Sequence, residues 1–212
     1  MIKLAPEGYP FIIGSVILTI IVLFTVPPAT CIPLLLTAFM LYFFRDPSRN
    51  IPTVRDIFVS PADGAVVLIR NTREDKYLHA DVKQISIFMS PFNVHVNRAP
   101  CDGVVKTVKH NKGSFVAAYR EEASVRNENI EMVLETEYGD ILVRQVAGLV
   151  ARRAVCRKKE GEELSRGERY GIIKFSSRVD LYIPKDFAFK VEVHDKVLAG
   201  ETVLAELVRQ TY

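Results

Sequence analysis

The sequence predicts a mainly β soluble domain that follows an N-terminal apolar helical membrane anchor. Residues 9–44 contain no charged side chain, whereas all but two of the charged residues of the chain follow this stretch. From residue 55 onward, short apolar runs are separated by Gly, Pro, Asp and Asn, which is the pattern of β-strands and turns. No long amphipathic stretch in this part indicates a major helix.

The apolar start is predicted to form a helical hairpin over residues 1–44. Residues 9–26 would make about 27 Å of helix, close to the thickness of a hydrocarbon core. Pro27 and Pro28 then suit a turn before a second, shorter apolar run. A secretory signal would need a basic start, a shorter core and a small-residue cleavage site. A single span followed by a re-entrant or interfacial segment is the alternative.

The charges that flank this hairpin predict its orientation. Lys3 precedes it, and Arg45 and Arg49 follow it. By the positive-inside rule, both ends and the remainder, residues 45–212, lie on the cytoplasmic side of the cell membrane. The net charge of +3 is mild and the acidic residues are interleaved. This charge argues against nucleic acid as a partner and is compatible with an anionic membrane surface.

The soluble part is expected to be barrel-sandwich-like. Its predicted strands are GAVVLI, QISIFM, VHVN, GVVKTV, IEMVLET, DILVRQVAG, RVDLYIP, FKVEV and TVLAELV. The closing KVLAGETVLAEL is similar to a hairpin of lipoyl and biotinyl carrier folds, but Glu201 stands where the carrier lysine would be. Exposed strand edges make a homodimer an expectation.

The cysteines and the short motifs argue against several classes of binding site. Cys31, Cys101 and Cys156 are too few and too scattered for a zinc site or a disulfide framework. No metal site is therefore predicted, and a reduced cytoplasmic setting fits. No dinucleotide fingerprint or phosphate-cradling loop is present either.

Two polar segments offer candidate catalytic side chains. Asp63 and Gly64 form a predicted turn in FVSPADGAVV, and a plain turn is the simpler interpretation. In SPFNVHVNRAP, alternation places His95 on a polar strand face, and Arg98 follows three residues later. Because imidazole titrates near neutrality, His95 is the best candidate for proton transfer.

The stretch GIIKFSSRVDLYIP provides a candidate nucleophile. Period-two alternation places Ser177 on the apolar face, and Lys174, Arg178 and Asp180 on the other face, where Lys174 and Arg178 are expected to meet solvent. A buried hydroxyl needs a partner or is kept for chemistry. With His95 and Asp63, Ser177 could form a Ser-His-Asp arrangement, although spacing alone does not establish one and no GxSxG elbow is present.

Several ordered segments together carry a family resemblance. FFRDPSR, SPADG, FMSPFNVHVNRAP, VRQVAGLVARRAV and GERYGIIKFSSRVDLYIP occur in unbroken order from about residue 43 to residue 184. This set resembles the short, pyruvoyl-dependent (prokaryotic) type of phosphatidylserine decarboxylase. An enzyme acting on archaetidylserine is equally compatible, because the headgroup is the same and no motif reads the lipid tails.

The resemblance implies a proenzyme that cuts itself into a β chain, residues 1–176, and an α chain, residues 177–212. Ser177 would become a covalent pyruvoyl group, which holds the substrate amine as a Schiff base and converts phosphatidylserine to phosphatidylethanolamine. It also implies His95 as general base and proton donor, with Asp63 orienting and charging it. Arg98 and Arg178 are candidates for contacts to the headgroup phosphate.

One position departs from the family pattern. The expected cleavage site is FGSR, whereas this chain has FSSR, with Ser176 in place of glycine. Glycine permits the strained backbone that an N-to-O acyl shift needs. The alternative hypothesis is therefore a non-catalytic, membrane-tethered paralogue that binds lipid or protein, or a proenzyme that remains uncleaved.

Overall fold

The chain contains two compact units, Met1–Ser48 and Arg49–Tyr212. A computed structural model describes residues 3–113, 127–148, 153–174 and 177–208. The mainly β fold and the apolar helical N-terminus are confirmed.

The first unit is an antiparallel pair of apolar helices. Helix α1 spans Tyr9–Thr25 and helix α2 spans Cys31–Phe43, with short 3₁₀ turns at Pro6–Gly8 and Pro27–Ala29. Of the described segments, Pro6–Thr25 is long and apolar enough to cross a membrane, whereas Pro27–Phe43 is shorter. Two short strands close the unit, and their bounds are β1 (Lys3–Leu4) and β2 (Arg45–Asp46).

The second unit is built from short antiparallel strands. Among its described residues they are β3 (Ile57–Val59), β4 (Gly64–Glu74), β5 (Ala80–Met89), β6 (Val96–Arg98), β7 (Gly103–Asn111), β8 (Asn129–Thr136), β9 (Gly139–Ala147), β10 (Ala154–Cys156), β11 (Glu163–Leu164), β12 (Arg169–Ile173), β13 (Ser177–Pro184), β14 (Phe187–Phe189), β15 (Lys196–Val197) and β16 (Val203–Leu207). The stretch NKGSFVAAYREEASVRN, whose sequence is compatible with a short helix or a loop, lies almost entirely outside the described residues.

Three sheets organise these strands. The largest has eight strands in the order β11-β7-β8-β9-β13-β5-β4-β15. Two three-stranded sheets have the orders β10-β12-β6 and β14-β16-β3. At Gly200, where φ is +78°, the chain turns from β15 in the large sheet towards β16 in a small one. The two runs of KVLAGETVLAEL therefore join two sheets instead of forming a single ladder.

Strand β13 occupies the centre of the large sheet. It pairs with β9 on one side and β5 on the other, with Ser177 opposite both Ala147 and Met89. Alternate residues of β13, namely Val179, Leu181 and Ile183, enter the main hydrophobic core. The alternation of apolar residues thus fixes which face of the strand packs inward.

The other face of β13 is also buried, which corrects the expectation that Arg178 meets solvent or headgroups. Arg178 is 2% exposed and Asp180 is 0% exposed. Arg178 Nε lies 2.9 Å from Asp180 Oδ1 in an ion pair. A period of two separates the faces of a strand, but it does not reveal that a second layer covers the polar one.

Glu131 on β8 lies in the same sheet as Asp180, in the row that runs from Asp180 through Arg144, and is the centre of a polar cluster. Lys76, from the β4–β5 connection, forms an ion pair with its carboxylate, and Tyr77 donates a hydrogen bond of 2.9 Å to it. On the other oxygen, Arg144 Nη2 lies at 2.9 Å. Burial would raise the pKa of Glu131, but the bond from Lys76 and the charge of Arg144 hold it below its ordinary value.

Candidate active site

Ser177 begins the central strand and is fully buried. Its side chain is 0% exposed, and its hydroxyl donates to Met89 Sδ at 3.3 Å. That sulfur is the sole hydrogen-bond partner of the hydroxyl among the described residues. A thioether is a weak acceptor. Among the described residues, the hydroxyl is therefore held in place by a weak hydrogen bond alone.

A small polar network ties the surroundings of Ser177 together. Asn97 Nδ2 approaches the same Met89 Sδ at 3.8 Å, and Gln145 Nε2 donates to Asn97 Oδ1 at 2.8 Å. All of these side chains are buried. Sequence reasoning missed Met89 and Gln145 because a methionine or glutamine inside a strand is not marked by any functional sequence motif.

His95 lies beside the segment that leads into Ser177. It is 0% exposed and immediately precedes β6. The backbone N–H of Ile173, the last residue of β12, donates to the His95 carbonyl at 3.3 Å. The pairing of β12 with β6 therefore places His95 beside Ile173, which is four residues before the candidate nucleophile Ser177 in the sequence. Its predicted exposure on a polar face is wrong, because both faces of this segment are buried.

The hydrogen bond of His95 fixes its tautomer. Nδ1 lies 3.0 Å from the carbonyl oxygen of Asn93. Because a carbonyl can only accept, Nδ1 carries the proton in the neutral ring, and the lone pair is on Nε2. The arrangement gives Nε2 the character of a base.

Asp63 has different partners from those expected. Both of its oxygens accept from Arg49 Nη2, at 2.9 and 2.7 Å, and Oδ1 also accepts from the Ala199 N–H at 2.8 Å. Within the described part of the chain, Asp63 has no hydrogen bond to His95. The expected direct triad contact is thus not formed, because Arg49 and a backbone amide occupy the carboxylate.

The turn that carries Asp63 nevertheless packs against the strand that follows His95. Arg98 N–H donates to the Pro61 carbonyl at 3.0 Å, and Asn97 Nδ2 approaches the same oxygen at 3.5 Å. The turn of Asp63 is therefore linked to the segment of His95 through the backbone and not through a bond of the Asp63 side chain.

The two candidate headgroup arginines are buried beside other partners. Arg98 is 5% exposed and donates from Nη1 to the Gly167 carbonyl at 2.9 Å. Arg178 is paired with Asp180. A contact of either arginine with a lipid phosphate would require it to leave these partners. Ser176 lies outside the described residues.

Cys101 is buried and Cys156 is partly buried. Burial raises the pKa of Cys101 and also that of Cys156, so both thiols are protonated near neutral pH and are poor nucleophiles. In the residues that the structure describes, no group of three or more His, Cys, Asp or Glu side chains could hold a metal ion.

Comparisons with known proteins point to one family. A family model described as phosphatidylserine decarboxylase matches residues 36–205. A protein of Ralstonia nicotianae named phosphatidylserine decarboxylase proenzyme is 47% identical over 206 residues, covering 96% of this chain and 95% of its own. A protein of the same name from Desulfotalea psychrophila is 44% identical over 209 residues, covering 98% of both. One from Geobacter metallireducens is 43% identical and covers 96% of both.

The buried pair of Arg49 and Asp63 predicts a large effect on stability. Their side chains are 8% and 6% exposed. Arg49→Met would leave a buried carboxylate without its cation and should lower the free energy of unfolding by about 3–5 kcal/mol. Denaturant unfolding of the detergent-solubilised protein measures this change.

Arg73→Met is the matched control, since the Arg73 side chain is 57% exposed in its ion pair with Asp75. Its effect should stay within about 0.5 kcal/mol. Equal effects of the two substitutions would contradict the structural role assigned to Arg49.

Proposed function

The chain belongs to the phosphatidylserine decarboxylase family, and on this premise we propose that it cuts itself before Ser177 and decarboxylates phosphatidylserine to phosphatidylethanolamine. The observation that carries the proposal is the fully buried Ser177 hydroxyl, bound only to a thioether among the described residues. The non-catalytic alternative is not favoured, because relatives that match along nearly the whole chain are named proenzymes of this decarboxylase.

Self-cleavage begins at the Ser177 hydroxyl. Oγ attacks the carbonyl carbon of residue 176, the peptide C–N bond breaks, and an ester to Oγ replaces it. His95 Nε2 takes the hydroxyl proton and gives it to the nitrogen of residue 177 as the C–N bond breaks. Loss of the Cα proton of residue 177 then expels the carboxylate of residue 176, which ends the β chain. Water hydrolyses the remaining enamine, through its imine form, to release ammonia and leave a pyruvoyl group at the start of the α chain.

The surroundings of residue 177 fit such a group. The pyruvoyl carbonyl, when present, binds the substrate amine and withdraws the electrons left behind as carbon dioxide departs. Backbone pairing to β5 and β9 fixes residue 177 from both sides, and full burial excludes bulk water. His95 Nε2 supplies the proton that replaces carbon dioxide on the substrate carbon.

Asp63 and Arg49 are positioning residues in this scheme. Their ion pair, with the Ala199 N–H, fixes the turn whose Pro61 carbonyl accepts from Arg98. Since that turn braces the strand after His95, it holds the imidazole in the orientation set by the Asn93 carbonyl. A catalytic contribution of Asp63 would therefore be transmitted through the backbone.

The substrate class follows from the family, and finer details are part of the proposal. The reacting group is the serine headgroup, so archaetidylserine would react equally well. We further propose that the apolar helices associate with the cell membrane, with the catalytic unit on the cytoplasmic side, as the positive-inside rule predicts from the flanking cations. A homodimer remains a prediction from strand edges alone.

Ser177→Ala should abolish self-cleavage and decarboxylation together. Denaturing gels and intact mass should show one full-length chain, whereas the unsubstituted protein should give residues 1–176 and a fragment 177–212 without a free amine at its start. Ser165→Ala, at an exposed position, should cleave normally. Turnover of serine phospholipid by a chain that remains intact would overturn the mechanism.

His95→Gln should slow self-cleavage by roughly 100-fold or more, as expected for loss of a general base. A time course of fragment release after cell-free synthesis measures the rate. His110→Gln is the control, because that imidazole is 51% exposed in its contact with Glu128. Cleavage of His95→Gln at the normal rate would remove His95 from the proposal.

Ser176→Gly should accelerate self-cleavage. Glycine has no Cβ, and relief of about 1 kcal/mol of strain in the acyl shift would give roughly a fivefold faster rate. The same time course measures it, with Ser165→Gly as control. An unchanged or slower rate would show that the serine at this position does not limit processing.

A further inference from the structure

The N-terminal helical unit is closed at one end. Strands β1 and β2 pair so that Lys3 faces Asp46 and Leu4 faces Arg45, and the Ala5 N–H donates to the Phe44 carbonyl at 2.8 Å. The chain therefore enters and leaves the hairpin at the same place. We call this end the base, and the turn at Pro27–Ala29 the tip.

Every charged residue of the helical unit described by the structure is at the base. They are Lys3, Glu7, Arg45 and Asp46. The exposed tyrosines are there too, with Tyr9 51% and Tyr42 46% exposed. Arg45 places its guanidinium 3.8 Å from the centre of the Tyr42 ring and donates to the Tyr42 carbonyl at 2.7 Å. Tyrosine and basic residues in this combination are typical of the lipid headgroup level.

The tip has the opposite character. It has no charged residue and no tyrosine or tryptophan, and Phe24 and Val26 beside it are 82% and 54% exposed. A helical hairpin whose tip emerged on the far side of a bilayer would be expected to carry a second set of interfacial residues there. Only the base carries such a set.

The backbone donors of the tip are satisfied without water. Pro27 and Pro28 have no N–H at all. Val26, Ala29 and Thr30 donate their N–H groups to carbonyls of residues 22, 26 and 27, at 2.8, 2.9 and 3.1 Å. Irregular backbone within hydrocarbon requires its donors and its acceptors to be satisfied internally, and the N–H groups of the tip meet the first of these requirements.

The hydroxyls of the unit are internally bonded as well. Thr25 and Thr30, next to the tip, donate to the carbonyls of Ile21 and Pro27, each at 2.8 Å. Midway along the helices, Thr19 Oγ1 and Thr37 Oγ1 lie 3.1 Å apart, between the two helices. Polar side chains of the helices thus face their own backbone or each other, as membrane helix pairs require.

The shorter arm limits the depth that the tip can reach. Helix α2 has 13 residues, and the whole apolar arm is Pro27–Phe43. These lengths correspond to about 20 and 25 Å, compared with about 30 Å for a hydrocarbon core. Because both arms are joined at the base, the greater length of α1 does not take the tip any deeper.

We infer that this unit is a re-entrant hairpin whose base lies at the headgroups of one membrane surface and whose tip ends within the acyl chains, without emerging on the other side. The inference rests on the membrane association in the proposed function. It differs from the two-span hairpin that the sequence favours, and it assigns bilayer acyl chains as the partner of the exposed apolar surface of both helices.

Cys31, at the start of α2 beside the tip, is a natural probe because it is exposed. Sealed right-side-out and inverted membrane vesicles containing the protein are treated with a charged, membrane-impermeant maleimide, and peptide mass spectrometry quantifies the label on each cysteine. Cys31 should react at least tenfold more slowly in both kinds of vesicle than in detergent. Lys3→Cys, at the base, should react in one kind of vesicle only.

Each other outcome is decisive. Labelling of Cys31 from the side opposite to Lys3→Cys would show that the tip crosses the membrane, and labelling from the same side would show that the hairpin is not inserted. Val26→Cys repeats the test at an exposed tip position, should Cys31 prove slow even in detergent. Release of the protein by a carbonate wash would instead contradict its membrane association, and decarboxylase activity is measured separately.

Discussion

The pairing of β13 on both sides is the constraint on which the second unit depends. Ser177 is the first residue of this strand and lies opposite Met89 on β5 and Ala147 on β9. The peptide bond proposed to break therefore lies at the very start of a strand that is paired on both sides. Hydrogen bonds along β13 fix the position of residue 177 whether or not that bond is intact, so a reactive group can form there while its neighbours stay in place.

The same strand explains why polar residues are so deeply buried here. One face of β13 enters the apolar core, and the other carries the buried Arg178–Asp180 pair. Next to it, the Arg144–Glu131 pair lies along β9 and β8. Buried charges are tolerated only when paired and hydrogen-bonded. These ion pairs thus neutralise the charged side chains on the second buried face of the sheet. Because Arg178 is paired with Asp180 there, it is poorly suited to bind a headgroup.

Backbone hydrogen bonds are satisfied within the protein in both units, although one surrounds a buried residue and the other exposes apolar side chains. In the second unit, strand pairing satisfies the backbone around the buried Ser177. In the helical unit, two prolines without N–H groups and a few internal bonds satisfy the backbone donors of a turn that exposes apolar side chains.

The sequence by itself determined the apolar hairpin through its composition and the strand-rich second unit through its alternation. Ordered motifs supplied the candidate residues Ser177, His95 and Asp63. All three signals are local properties of the chain. Tertiary structure alone decided which side chains meet. Arg49 and Ala199 occupy the Asp63 carboxylate, and Met89 accepts from Ser177, although these partners are far apart in the chain. Alternation defines two faces of a strand, but what covers each face depends on segments distant in sequence. For that reason the burial of Arg178 and of His95 could only be found in the fold.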